Sequence, residues 1–248
     1  MHTGHMNYLP LSPLFFLGLA GALLALVILV QIGLLRFAYY RLGVGPGAAT
    51  LLLLASLIGS YINIPVYQLP PSQVASGQEV AFFGMIYVVP VVESWPGTVI
   101  AVNAGGAIVP GLLSLYLLVH NQLWLKGALA TIAVAIVCHL VARPVPGVGI
   151  AEPIFIPPIA SALVAILLSR TQAAPLAYIG GSLGALIGAD LTNLDKVDGL
   201  GAPIASIGGA GTYDGIFVTG VLAVIIASLT DLWPSRRRAH FASAPPPR

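Results

Sequence analysis

Asp190 and Asp214 are the residues best placed to do chemistry. They occur in apolar, glycine-rich stretches, Gly188-Ala189-Asp190-Leu191 and Gly209-Ala210-Gly211-Thr212-Tyr213-Asp214-Gly215. The chain has only 8 acidic residues and is 58% hydrophobic. An ionisable group at membrane depth costs ~2.5 kcal/mol or more and marks a functional site by default. Two neighbouring carboxylates cannot both ionise easily, because the second charge forms against the first. Such a pair can share a proton, hold a cation or activate water. Thr192, Asn193, Thr212 and Tyr213 place hydrogen-bonding groups beside them.

The elements that must position these acids are two consecutive helices. The first, about 174–194, carries Gly180, Gly184 and Gly188 at four-residue spacing, a ridge that admits a close neighbour. Asp190 lies about 200° around from Gly188 at ~100° per residue, so it points to a second neighbour or a cavity. The second helix, about 211–232, repeats the pattern with Gly211, Gly215 and Thr219. Asp214 falls in its first turn, where the helix dipole favours negative charge, so satisfying free N–H groups is its competing structural role. The helices run antiparallel, which puts the two aspartates at similar depth.

Three segments suggest an internal repeat. Pro96-Gly97-Thr98-Val99-Ile100-Ala101 and Pro146-Gly147-Val148-Gly149-Ile150-Ala151 share Pro-Gly-x-x-Ile-Ala, and Gly201-Ala202-Pro203-Ile204-Ala205 is a looser copy. Each precedes an expected helix, at a period of about fifty residues. The copies bring Asn103, Glu152 and Asp214 to the same side. Backbone broken by glycine or proline at membrane depth is tolerated where it is buried in protein or lines a cavity, and in transporters it points to the binding site. The contrary reading makes these segments external loops whose acids face water.

The composition is that of a multi-pass membrane protein, with 7% charged residues against the ~25% of soluble domains. We expect an all-α chain of about seven transmembrane helices, at 14–36, 47–67, 105–120, 125–142, 155–169, 174–194 and 211–232. An external β-hairpin interrupts them at about 68–104, because Val80 to Val92 is rich in β-branched and aromatic residues and ends at a turn signal, Glu93-Ser94-Trp95-Pro96-Gly97. With the tail inside, Arg36, Arg41, Lys126, Arg170, Arg236, Arg237, Arg238 and Arg248 are cytoplasmic and only Arg143 and Lys196 are outside. The N-terminus is then outside and the C-terminus inside. Residues 1–12 form an external N-terminus, 13–234 the membrane domain and 235–248 a basic, disordered tail. The apolar run from about Leu14 is too long for a signal peptide.

Several classes are excluded. No basic stripe outside the tail would bind nucleic acid. No zinc pattern, phosphate-binding loop, nucleophile elbow or dinucleotide fingerprint occurs, so no metal or cofactor is expected. Cys138 is alone and reads as core. His139 reads as a packed, hydrogen-bonded residue and His120 as interfacial. The partners are the lipid bilayer and a small solute or ion, with self-association left open.

Two resemblances follow. The stretches Ala101-Val102-Asn103-Ala104-Gly105-Gly106-Ala107, Gly188-Ala189-Asp190-Leu191-Thr192-Asn193-Leu194 and Gly201 to Phe217 resemble the prokaryotic membrane-protein family catalogued as domain of unknown function sixteen-fourteen. This implies a multi-pass membrane protein and supplies no activity. Tyr213-Asp214 and Gly188-Ala189-Asp190 are partly similar to the paired motifs of presenilin-type intramembrane aspartyl proteases. Ala189 replaces that family's glycine, and the two motifs come in reverse order. The leading expectation is a carrier or channel using Asp190 and Asp214, with Asn103, Glu152, Thr192, Asn193 and Tyr213 as further binding residues. The alternative is an intramembrane aspartyl hydrolase with Asp190 and Asp214 catalytic.

Overall fold

The computed structural model describes residues 21, 24, 33–74, 79–82, 85–88, 92–145, 147–209 and 215–229. Residues 1–12, most of the expected first helix, residues 210–214 and the tail from 235 lie outside the described residues. Seven α-helices occur among the described residues: α1 (Leu34–Arg41), α2 (Pro46–Gly59), α3 (Val109–His120), α4 (Trp124–Val141), α5 (Ile156–Leu168), α6 (Ala173–Ala185) and α7 (Gly215–Leu229). Helices α2, α3 and α5 carry proline in their first two positions, where a missing N–H costs nothing.

Helix α6 is the centre of the bundle. Every residue in it except Leu183 is buried, and it packs against α3, α4, α5 and α7. The glycine ridge explains how α4 comes so close. A Cβ at Gly180 would stand 3.2 Å from the Ala130 Cβ, and one at Gly184 only 2.6 Å from the Val134 Cβ. Gly188 continues the same contact against the Ala135 backbone. The expected ridge on the last helix is shifted. Gly215 faces open space, while Thr219 and Gly220 meet Gly181, Ser182 and Tyr178 of α6.

Two helices are long and apolar enough to cross a membrane, Trp124–Val141 and the helical run Ala173–Lys196. The second is mostly buried, as a core helix would be, but the first is only 28% buried. Its exposed Leu125, Leu129, Ile132, Ile136 and Leu140 form one continuous apolar stripe. The helical runs Pro46–Gly59, Ala104–His120, Ile156–Leu168 and Gly215–Leu229 are shorter, at 10–17 residues, against the ~20 needed for a 30 Å hydrocarbon core.

The segment expected as helix 47–67 corrects to a helix ending at Gly59 and a strand beginning at Asn63. A Cβ at Gly59 would stand 2.8 Å from the Gly105 nitrogen, so the chain crosses another backbone there. Asn63-Ile64-Pro65-Val66-Tyr67 then lacks one N–H and is β-branched, which suits an edge strand.

The hairpin is present and longer than expected. Strands β1 (Asn63–Gln68), β2 (Ser72–Val74), β3 (Glu79–Phe82), β4 (Met85–Val88), β5 (Val92–Trp95) and β6 (Val99–Asn103) pair antiparallel in nested order, β3 with β4, β2 with β5 and β1 with β6. Further strands were not foreseen. β7 (Arg143–Val145) pairs with β8 (Gly149–Ala151), and β9 (Ile204–Ile207) joins β6 in parallel. The fold is therefore mainly helical with strands, rather than all-α. The extra strands form because loops that leave the helices must find partners for their backbone groups.

The fifty-residue repeat has a structural counterpart. Gly97, Gly147 and Gly201 all have positive φ (99°, 75° and 69°). Each leads into a strand, β6, β8 or β9, and each strand is followed by a helix, α3, α5 or α7. Thr98 Oγ1 donates to Ala202 O at 2.8 Å, and Gly147 N to Leu200 O at 2.5 Å, which ties the copies together.

Gly184→Leu is expected to destabilise the protein by about 1–3 kcal/mol through overpacking against Val134. Gly111→Ala, in α3 with open space at its Cβ, is expected to gain about 0.5–1 kcal/mol. Thermal unfolding of the purified chain in detergent measures both. Equal melting temperatures for the two variants would contradict the ridge contact.

Candidate functional site

The α6 helix does not end regularly. Leu186–Asp190 forms a π-helical turn and Leu191–Lys196 a 3₁₀ turn. A π turn bonds i to i+5 and so leaves carbonyls without their usual partners. Side chains take them over. Asn193 Nδ2 donates to Gly188 O at 3.0 Å and Ala189 O at 2.9 Å, and Thr192 Oγ1 donates to Gly188 O at 2.8 Å. Asn193 is buried, and its Oδ1 accepts from Lys196 Nζ at 2.6 Å. His139 Nδ1 lies 2.8 Å from Thr192 Oγ1. With the hydroxyl proton given to Gly188 O, the tautomer that fits carries its proton on Nδ1.

A second π turn, Ala104–Ile108, precedes α3. Asn103 Oδ1 caps it by accepting from Gly106 N at 2.8 Å, while Nδ2 donates to Ser60 O at 2.8 Å and Asn63 Oδ1 at 3.0 Å. Asn103 is fully buried. Its amide is committed to joining β1, β6 and the start of the helix. Neither Asn103 nor Thr192 nor Asn193 lines the cavity described next.

That cavity, of about 300 Å³, lies where β8 and β9 meet the end of the α6 run and the start of α7. Both Glu152 and Asp190 line it. Glu152 follows β8 directly, and Asp190 is the last residue of the π turn. Asp190 Oδ2 accepts from Gly208 N at 2.7 Å. Gly208 has φ of +92° and lies against the Gly106–Ala107 backbone, so the carboxylate is held by a backbone turn that a side chain would disrupt. Ile150, Ile154, Leu194, Val197, Ile204 and Ile216 supply apolar wall.

The carboxylates that line this cavity, among the described residues, are Glu152 and Asp190. Asp214 and Tyr213, the other half of the expected pair, lie outside the described residues. Gly215, the next residue, lines the cavity. Three further residues were given no site role by sequence reasoning. Cys138 is fully buried, with its thiol against the Glu152 carboxyl and within electrostatic reach of Asp190. Ser206 lines the cavity and donates to Asn63 Oδ1 at 2.7 Å. Thr219 also lines it. The i, i+4 spacing of Gly215 and Thr219 marked this helix face but attributed it to packing alone. His139 instead sits in a shallow apolar groove with Ile132, Ile136 and Ile187.

A family model described as a protein of unknown function (DUF1614) matches residues 57–226. The chain belongs to this family. The DUF1614 match runs from α2 into α7 and includes β6, both π turns, Glu152 and Asp190. No curated protein and no solved structure matches the chain. The resemblance to presenilin-type proteases thus has no support beyond the partial motifs.

Asn103→Leu is expected to cost about 2–4 kcal/mol, because it strands the buried Ser60 carbonyl and the Gly106 N–H. Asp190→Asn keeps an oxygen that can accept from Gly208 N and should change stability by less than about 1 kcal/mol. Chemical unfolding of both variants checks the contrast, which reverses if Asp190 rather than Asn103 is the structural residue.

Proposed function

We propose that this is a multi-pass protein of the cytoplasmic membrane that carries or conducts a small solute or ion through the Glu152–Asp190 cavity. The observation that carries this reading is that one cavity of about 300 Å³ holds two carboxylates among apolar walls. Ionisable groups in apolar surroundings of a membrane protein line substrate and ion pathways. Transporter sites are also built where helices are broken, and here the acid at 190 ends a π turn.

The membrane reading is supported by the outward faces of the helices. Leu51, Leu54 and Ile58 of α2, Leu112, Leu115 and Val119 of α3, and Ile159, Leu163 and Leu167 of α5 are exposed at helical spacing, as is the α4 stripe. Apolar patches this extensive call for a nonpolar surrounding. The seven-span arrangement takes its orientation from the Lys/Arg count, eight inside against two outside by number in the sequence. The cavity then opens near the outer face. The short helices fit a span in which strands and π turns complete the thickness at that side.

Cells making the wild type, Asp190→Asn or Glu152→Gln would be profiled for small solutes and membrane peptides. The expected result is a change of several-fold in the cell-to-medium ratio of at least one small solute, shared by both variants. An unchanged solute profile with persistent uncleaved membrane peptides would instead identify a hydrolase and sink the carrier reading. A reporter fused after Arg248 is expected to be active only in the cytoplasm.

A further inference from the structure

The lining of the cavity narrows the chemical class of its ligand. Its charged side chains, among the described residues, are Glu152 and Asp190, with no Lys, Arg or His. Two acids alone do not define a site, but Thr219 adds an independent observation. It is 2% exposed, lines the cavity and makes no side-chain hydrogen bond among the described residues. Its methyl carbon packs toward α6, 3.3 Å from where a Gly181 Cβ would lie. The hydroxyl is the group it offers to the cavity.

Size and wall chemistry separate an organic ligand from a bare metal ion. The volume is at the lower end of the ~300–1,000 Å³ range of small-molecule pockets. It is about ten times the ~30 Å³ that one water occupies in the liquid. A dehydrated metal ion needs oxygen ligands on every side, whereas Ile150, Ile154, Leu194, Val197, Ile204 and Ile216 offer hydrocarbon. A primary ammonium has three N–H donors and no acceptor. Those donors match three acceptors, the two carboxylates and the Thr219 hydroxyl. Hydrogen bonds to charged groups are about twice as strong as neutral ones.

We infer that the cavity takes a small organic cation, a primary amine in its ammonium form. The charged head lies between Glu152 and Asp190, with Thr219 as third acceptor, and the apolar body lies against the isoleucine, leucine and valine wall. This rests on the carrier reading only for the direction of traffic; binding itself does not require transport.

The test is binding to the purified full chain in detergent, read as melting temperature and by titration calorimetry at matched ionic strength. n-Butylammonium is expected to raise the melting temperature, and n-butanol, butyrate and sodium chloride are not. Asp190→Asn and Glu152→Gln should each abolish the n-butylammonium shift. Thr219→Val is nearly isosteric, so its ligand-free melting temperature serves as the folding control, and its n-butylammonium affinity should fall about tenfold. A shift of equal size from sodium chloride or butyrate overturns the inference, as does no shift from n-butylammonium or a full shift in the carboxamide variants. Binding of n-butylammonium without its movement into proteoliposomes would remove the carrier reading and leave the cation site standing. Movement of sodium alone would do the reverse.

Discussion

The fold depends on satisfying backbone polar groups where helices break inside an apolar molecule. Where water is excluded, an unpaired carbonyl or N–H costs several kcal/mol. Two π turns create this demand, at 104–108 and 186–190. Asn103 meets it at the first, and Thr192 and Asn193 at the second. Asp190 extends the same logic to the β9 turn through Gly208. The strands are a further answer, because β6 pairs on both sides with β1 and β9. Most polar side chains near the broken ends are consumed in this way.

The cavity lies beside these satisfied ends. Glu152 leaves β8 into the cavity, Asp190 leaves the π turn, and Thr219 approaches from α7. They come from three elements separated by dozens of residues, and the repeat is what aligns those elements. A positive-φ glycine, a strand and a helix recur three times, so the strands assemble at one end of the bundle. The close packing of α6 on α4 through Gly180, Gly184 and Gly188 then fixes where the π turn sits. Function in this reading is a by-product of how the repeat closes.

The sequence made much of the architecture legible. Glycine spacing on α6 correctly implied a close neighbour on one side and a different environment for Asp190 on the other. β-Branched residues from Val80 to Val92 pointed to a hairpin, which extends to Asn63. Helix 47–67 was overextended because hydropathy alone continues through Tyr61 and Ile62, while the break is imposed by the crossing of Gly59 and Gly105. Asn103 was legible as a polar residue in a special place. Its role, however, lies in joining β1 to the start of a helix.

By itself the sequence determined the chain's apolar character, its family, its repeat and the rarity of its acids, because these depend on composition and spacing. Only the tertiary structure decided which polar groups bond one another and which line the cavity. Hydrogen-bond partners such as Ser60 for Asn103 and Gly208 for Asp190 are 43 and 18 residues away in the chain. No local pattern encodes such pairings, since they arise when separate elements pack. The same packing brought Glu152, Asp190 and Thr219 to one cavity.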